Sequence, residues 1–136
     1  MRLIMATVSK EAIEAKIKSV YYFNGADAVK SAFVDPSALP SDDLANLGLV
    51  TYCVIILENG FKVEGVSACV DPAIYDEQKG RQYAYENAFN KIWELEGYLL
   101  RQALHEKEET AKALASFAEN NTCDGGGCTI WFKGVR

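Results

Sequence analysis

The sequence predicts an α+β fold, a small antiparallel sheet beside one long helix in the C-terminal half that also serves oligomerisation. Three observations predict it. Residues 50–70 alternate inward and outward side chains around an Asn59-Gly60 turn signal. Residues 71–120 carry apolar side chains at three- and four-residue spacing behind a helix-start signal, with no proline after Pro72. Near the end of the chain, Thr129-Ile130-Trp131-Phe132 offers a third strand, needed because two strands alone are marginal. At 136 residues, 49% hydrophobic and 24% charged, the chain reads as one domain able to bury a moderate core without staples.

Residues 8–23 read as an amphipathic helix. Ser9 is its N-cap, Glu11 lies in the first turn, and Ile13, Ile17 and Val20 repeat on one face. Tyr21, Tyr22 and Phe23 end it, and Asn24-Gly25 stops it. The aromatic triplet serves either to pack against the sheet or to stack on a planar ligand. Residues 24–49 are a linker with a short helix at 26–33, broken by Asp35-Pro36 and Leu39-Pro40. Ser41 is expected to cap a further turn through Leu44 and Leu47.

In the hairpin at 50–70, Thr51, Cys53, Ile55 and Leu57 alternate with Tyr52, Val54, Ile56 and Glu58. Asn59-Gly60 predicts a two-residue type I′ turn, in which both central residues take positive φ. The return strand begins at Phe61 and runs on to Val70, with Lys62 and Glu64 facing solvent and Phe61 and Val63 facing in.

The long helix at 71–120 opens on Asp71, a cap, followed by Pro72 at a first position where its missing N–H costs nothing. Asp76 offers a second start, with Glu77 in its first turn. Tyr85, Ala88, Ile92, Leu95 and Leu99 form one row; Phe89, Trp93, Leu100 and Leu104 form another. The two together are wide enough to be covered from two sides. At 1.5 Å per residue the helix spans roughly 65 Å, against a radius of gyration near ~14 Å for a compact domain of this length. A second copy of the chain is the simplest cover, which predicts a homo-oligomer, a dimer or a dimer multiple such as a hexamer. Gly80 and Gly97 inside the helix suggest close approach of another backbone. The polar run His105-Glu106-Lys107-Glu108-Glu109 permits a continuous helix, the reading favoured here, or a break before the small-residue stripe Ala111, Leu114, Ala115 and Ala118. Asn120-Asn121 stops the helix, leaving a Gly-rich loop and strand at 121–136.

A net charge of −5 argues against a general nucleic-acid binder, which needs a basic face. No run approaches the ~20 apolar residues of a membrane span. No secretory signal opens the sequence, so a cytoplasmic setting with reduced thiols is expected. Cys53, Cys69, Cys123 and Cys128 form no metal knuckle. Cys123 and Cys128 read as two packed thiols, a disulfide, or half of a zinc site that lacks two ligands. No metal and no cofactor are expected. The single His105 sits in a charged run and no Ser/His/Asp or Cys/His set is placed by spacing, so no enzyme is expected.

Binding chemistry has better candidates. Gly125, Gly126 and Gly127, with Asp124 and Asn121 before them, form either a loop whose N–H groups converge on a phosphate or a plain hairpin loop. It is not a P-loop, because no Gly-Lys-Ser/Thr follows and the loop precedes a strand. Lys133 and Arg136 follow with positive charge, and Trp131 or Phe117 offers an aromatic face. Arg101, among Leu99, Leu100 and Leu104, suggests a partly buried guanidinium held by Glu94 or Glu96, or by a ligand phosphate. Arg81, near a helix start, reads as solvated or as an ion pair.

Several of these stretches carry a resemblance. Thr51-Tyr52-Cys53-Val54, then Leu57 through Val63, then Gly65-Val66-Ser67-Ala68-Cys69-Val70 resemble the central hairpin of a family of small phage proteins typified by phages N4 and Sf6. Asp71-Pro72, Tyr75-Asp76, Gly80-Arg81, Ala84 through Ala88 and Lys91 through Leu100 resemble the helix that follows, with Tyr75 standing where phenylalanine is expected. The resemblance covers roughly residues 10–102 and implies a phage origin. The whole layout also resembles the first type of Thoeris anti-defence sponge, symmetric oligomers with a small sheet and long helices. That resemblance implies a non-catalytic protein in the cytoplasm of the infected bacterial host. Its partner would be a cyclic nucleotide, the glycocyclic ADP-ribose signal made by TIR-domain proteins. The alternatives are a sponge for cyclic di- or trinucleotides and an inhibitor of a host protein acting through the acidic face at 105–119. The site residues named above are chosen by chemistry and not by correspondence with that group.

Overall fold

Residues 7–120, described by a computed structural model, form a three-stranded antiparallel sheet with a long helix across one face. The order is α1 (Lys10–Glu14), β1 (Ile17–Asn24), α2 (Gly25–Ala32), α3 (Ser41–Leu47), β2 (Val50–Leu57), β3 (Lys62–Ala68) and α4 (Glu77–Asn120), with 3-10 turns at Pro36–Ala38 and Pro72–Ile74. The chain divides into a first unit that ends at Gly97 and a second that begins at Tyr98.

The expected helix at 8–23 is only partly present. Ser9 does cap α1, its Oγ accepting from Ala12 N–H at 3.1 Å, and Ile13 is fully buried. The helix then ends, and Ile17-Lys18-Ser19-Val20-Tyr21-Tyr22-Phe23 becomes a strand. That run is rich in β-branched and aromatic residues, which fit a pleated surface, and a partner strand is at hand: Val20 pairs with Ile55 and Tyr22 with Cys53. The third strand is therefore β1, and β2 is the centre of the sheet. The predicted C-terminal strand at Thr129-Ile130-Trp131-Phe132 lies outside the described residues.

The hairpin loop also departs from expectation. Leu57 N–H donates to the Phe61 carbonyl at 2.9 Å and Gly60 N–H to the Leu57 carbonyl at 2.8 Å, so Glu58, Asn59 and Gly60 form a three-residue loop. Only Gly60 takes positive φ, at 87°, while Asn59 Oδ1 accepts from Phe61 N–H at 2.9 Å. Register explains the extra residue. A two-residue turn at Asn59-Gly60 would set Glu64 opposite Ile55, on the buried face; the three-residue loop sets Val63 there instead. Val63 is buried as expected, but Phe61 stays in the loop and is exposed.

Ser41 is the first residue of α3 and not its cap; Pro40 holds that position and makes no side-chain bond. Asp71 caps the 3-10 turn at Pro72–Ile74, accepting from Ala73 N–H at 2.9 Å. The long helix starts at the second predicted signal, where Asp76 Oδ1 accepts from Gln78 N–H at 2.9 Å and Lys79 N–H at 3.4 Å. It runs without a break through 105–109.

One core lies between α4 and the inner face of the sheet. Ile13, Cys53, Ile55, Leu57 and Val63 pack with Ala84, Ala88, Phe89 and Ile92. Lys16 ties the end of α1 to α4 through Glu96 at 2.7 Å. The close approach foreseen at the helix glycines is instead made at Gly65 of β3. A Cβ there would collide with the Ala84 carbonyl and Ala88 N–H and come within 2.9 Å of the Ala88 Cβ. At Gly80 a Cβ would meet the Thr51 hydroxyl at 2.7 Å, a side chain and not a backbone; at Gly97 it would meet nothing within 4 Å.

The glycines give opposite predictions. Gly65→Ala forces α4 off the sheet and costs about 2–3 kcal/mol, whereas Gly97→Ala gains about 0.5–1 kcal/mol from helix propensity. Urea denaturation of the two variants against the parent reads both signs.

Candidate functional site

Two caps in succession turn the chain from β3 into α4, and the turn leaves a cleft. Asp71 closes one 3-10 turn, Asp76 opens the helix, and the space between them and the end of β3 measures about 380 Å³. That volume is in the range of small-molecule sites. Tyr75, Lys79, Gly80 and Tyr83 line it from the helix side, and Ser67, Cys69, Val70 and Leu49 from the sheet side.

Each wall is held. Asn24 Oδ1 caps α2 by accepting from Ala26 N–H at 2.9 Å, while its Nδ2 donates to the Gly48 carbonyl at 2.8 Å and to the Tyr75 hydroxyl at 3.4 Å. One side chain thus ties Tyr75 to the ends of β1 and α3. Ser67 Oγ donates to the Gly80 carbonyl at 2.6 Å and fixes the first turn of α4 against β3. Cys69 Sγ donates to the Asp71 carbonyl at 3.2 Å. The Thr51 hydroxyl, buried beneath Gly80, has no partner among the described residues.

The chemistry on offer is recognition. Tyr75 and Tyr83 present aromatic rings, and no ion pair holds Lys79 among the described residues. Two rings and an ammonium suit a planar ring that carries an anionic group. Arg81 is engaged elsewhere. Its Nη2 pairs with Glu77 at 2.9 Å, and its guanidinium lies 5.6 Å from the centre of the Tyr22 ring.

Tyr22, Cys53 and Tyr85 meet at the helix–sheet interface and all hold their protons more tightly than usual. Burial pushes the Cys53 thiol up. Burial is also the main cause for Tyr22, with Cys53 and Tyr85 adding to it and Arg81 opposing. For Tyr85 burial leads, followed by Glu14 and Cys53. Among the described residues no group of three His, Cys, Asp or Glu is placed to hold a metal ion.

The residues expected from sequence to form the site fall elsewhere. Arg101 is exposed, not partly buried. It pairs with Glu108 at 3.4 Å and not with Glu94 or Glu96, the latter being taken by Lys16. Phe117 is 41% exposed. At 1.5 Å per residue Arg101 and Phe117 stand roughly 24 Å apart along α4, so one chain does not bring them together. Asn121, Asp124, Gly125, Gly126, Gly127, Trp131, Lys133 and Arg136 lie outside the described residues, as do Cys123 and Cys128. The cleft residues were missed because their signal is weak. Tyr75, Lys79 and Tyr83 recur every four residues at the helix start, a polar-aromatic stripe beside the apolar rows.

Residues 8–104 match the family model described as "Phage protein (N4 Gp49/phage Sf6 gene 66) family". That span takes in the sheet and the whole cleft. No curated protein and no solved structure matches the chain.

The raised thiol and phenol values predict alkaline lability. A proton held more tightly in the folded state gives stability that is complete below the unfolded values, near 9.0 for Cys53 and 10.0 for Tyr22 and Tyr85. It is lost as pH rises from there through the folded values. Urea midpoints measured from pH 8 to 11 should fall above pH 9, with a smaller fall in Tyr22→Phe.

Proposed function

The chain belongs to the phage protein (N4 Gp49/phage Sf6 gene 66) family, and from that premise we propose that it is an anti-defence protein. In this reading it binds and sequesters a glycocyclic ADP-ribose signal made by TIR-domain immune proteins, and performs no chemistry on it. The setting is the cytoplasm of the infected bacterium. The observation that carries the reading is the cleft at the start of α4, with two tyrosine rings on one wall and an ammonium that no ion pair holds among the described residues. A cyclic ADP-ribose presents what such a wall takes up, an adenine for the rings and a diphosphate for the cation. The resemblance of the layout to first-type Thoeris sponges supports the same ligand. A cyclic di- or trinucleotide shares the purine and phosphate chemistry and is the alternative.

Sequestration asks for occupancy and slow release. Tyr22, Cys53 and Tyr85 stay protonated at neutral pH, in keeping with a binder. The protein acts as a homo-oligomer, a dimer or dimer multiple, joined along the apolar row of α4, where Trp93, Leu95 and Leu99 are exposed. Ligand held only by the folded assembly stabilises that assembly by linkage.

The test is retention and release. The protein is incubated with the product of an activated TIR enzyme, separated from free ligand, then heated, and the released material is identified by mass. The expected result is intact cyclic ADP-ribose, near one per site. Tyr83→Ala should lower affinity by about ten-fold or more, the loss of one stacking face, and Lys79→Ala should lower it comparably and weaken its salt dependence. A chemically altered product would make the protein an enzyme. Recovery of a cyclic di- or trinucleotide from infected cells would replace the ligand but keep the cleft.

A further inference from the structure

Asp76 also lines the cleft, and the uptake of a ring and a diphosphate gives it no part. The helix it caps holds its carboxylate in place. Oδ1 accepts from Gln78 N–H at 2.9 Å and from Lys79 N–H at 3.4 Å, while Oδ2 has no partner among the described residues. A carboxylate offers about four lone-pair sites on its two oxygens. The cap takes two of them on Oδ1, so the free pair is on Oδ2. That arrangement sets the chemistry of what it can accept. A guanidinium-like edge needs one acceptor on each oxygen, and Oδ1 is taken. A ring amine brings one N–H to Oδ2 and leaves the second site open. Two vicinal hydroxyls bring two donors to one oxygen and fill both sites. Carboxylates take ribose hydroxyls in the same way in dinucleotide-binding folds.

We propose, on the reading of the cleft as a nucleotide site given above, that Asp76 is its specificity-determining residue: it accepts both hydroxyls of a ribose that lies beyond the phosphates, and so selects a cyclic ADP-ribose over a cyclic dinucleotide. Position decides which ribose. Asp76, Lys79 and Tyr83 stand at i, i+3 and i+7, on one face of the helix start. At 1.5 Å per residue the steps are roughly 4.5 Å from Asp76 to Lys79 and roughly 6 Å from Lys79 to Tyr83. With the ring on Tyr83 and the diphosphate on Lys79, the group at Asp76 is on the far side of the phosphates from the ring. In a cyclic ADP-ribose that group is the second ribose, which is closed through its C1 and keeps its 2- and 3-hydroxyls. In a 3′–5′ cyclic dinucleotide each 3-oxygen is esterified, and no vicinal pair exists. The carboxylate also acts by exclusion. One turn from Lys79 it repels a further phosphate, and it sits beside the diphosphate without penalty only when hydroxyls stand between them.

Titration calorimetry on the full chain tests this with three probes. Cyclic ADP-ribose carries the second ribose, cyclic di-AMP has no vicinal hydroxyls, and ADP has them only on the ring side. Asp76→Ser and Asp76→Asn are the variants, because serine, asparagine and aspartate are nearly equivalent at an N-cap. Urea midpoints near that of the parent verify that the helix start is kept, and if one variant loses stability the other carries the test. The parent should prefer cyclic ADP-ribose to cyclic di-AMP. Each variant should lower the affinity for cyclic ADP-ribose by about ten-fold or more, the loss of hydrogen bonds to a charged acceptor. ADP and cyclic di-AMP should bind the variants as well as they bind the parent, or more tightly, since a repelling charge has gone. A loss shared by ADP or by cyclic di-AMP overturns the proposal, because a structural role or a different ribose would produce it. So does an unchanged affinity for cyclic ADP-ribose in both variants, or a parent that binds the dinucleotide alone, and these outcomes leave the cleft itself standing. A parent that binds none of the three overturns the reading of the cleft and the role of Asp76 with it.

Discussion

Packing of α4 onto the bare backbone of Gly65 sets the distance between helix and sheet, and the rest of the molecule is arranged around that distance. No side chain separates the two, so Ala84 and Ala88 sit directly on β3. Interiors are close-packed, and an element lowered this far must be matched by small residues on both sides. Alanine, glycine and alanine provide that match along one line. Where the gap widens, Phe89 and Ile92 fill it against Ile55, Leu57 and Val63. The same low seat brings Gly80 over Thr51 and lets the Ser67 hydroxyl reach the first turn of α4. The cleft is the space left where the chain climbs from β3 to the helix.

The hairpin register serves this packing. Period two means that a shift by one residue exchanges the two faces of a strand. Only one of the two registers open to β3 puts Gly65 and Val63 inward and Lys62 and Glu64 outward. That register needs three loop residues, with Gly60 in the left-handed region and Asn59 free to bond its own backbone. A strong local turn signal was outweighed by the cost of facing a carboxylate into the core. The result leaves Phe61 outside and makes the outer face of the sheet apolar in its middle and charged along one edge.

Nearly all of the elements after residue 24 were legible, because their signals are local. Asp76 with two free N–H groups and the alternation in β2 each act within a few residues, whereas Asn24, read as the stop of a first helix, ends a strand and caps α2. The site was legible only in its chemistry. An arginine, glycines and an aromatic were sought for a ring and phosphates. The cleft offers tyrosines and a lysine, drawn from a turn that reads in sequence as no more than two caps. Arg101 illustrates the difficulty. Leucine neighbours in sequence suggested burial, but successive residues on a helix point in different directions, and its guanidinium pairs with Glu108 in the open.

By itself the sequence determined the fold class, the central hairpin, the long unbroken helix and the phage family, since periodicity, caps and motif density are properties of contiguous residues. Tertiary structure decided three further matters. It made Ile17–Asn24 a strand, because helical spacing of Ile13, Ile17 and Val20 could not compete with a β2 edge waiting to be paired. It chose the register of the return strand, because only the core distinguishes one face from the other. And it assembled the cleft from residues on β3, a 3-10 turn and α4, whose nearness depends on how far one backbone can sink onto another.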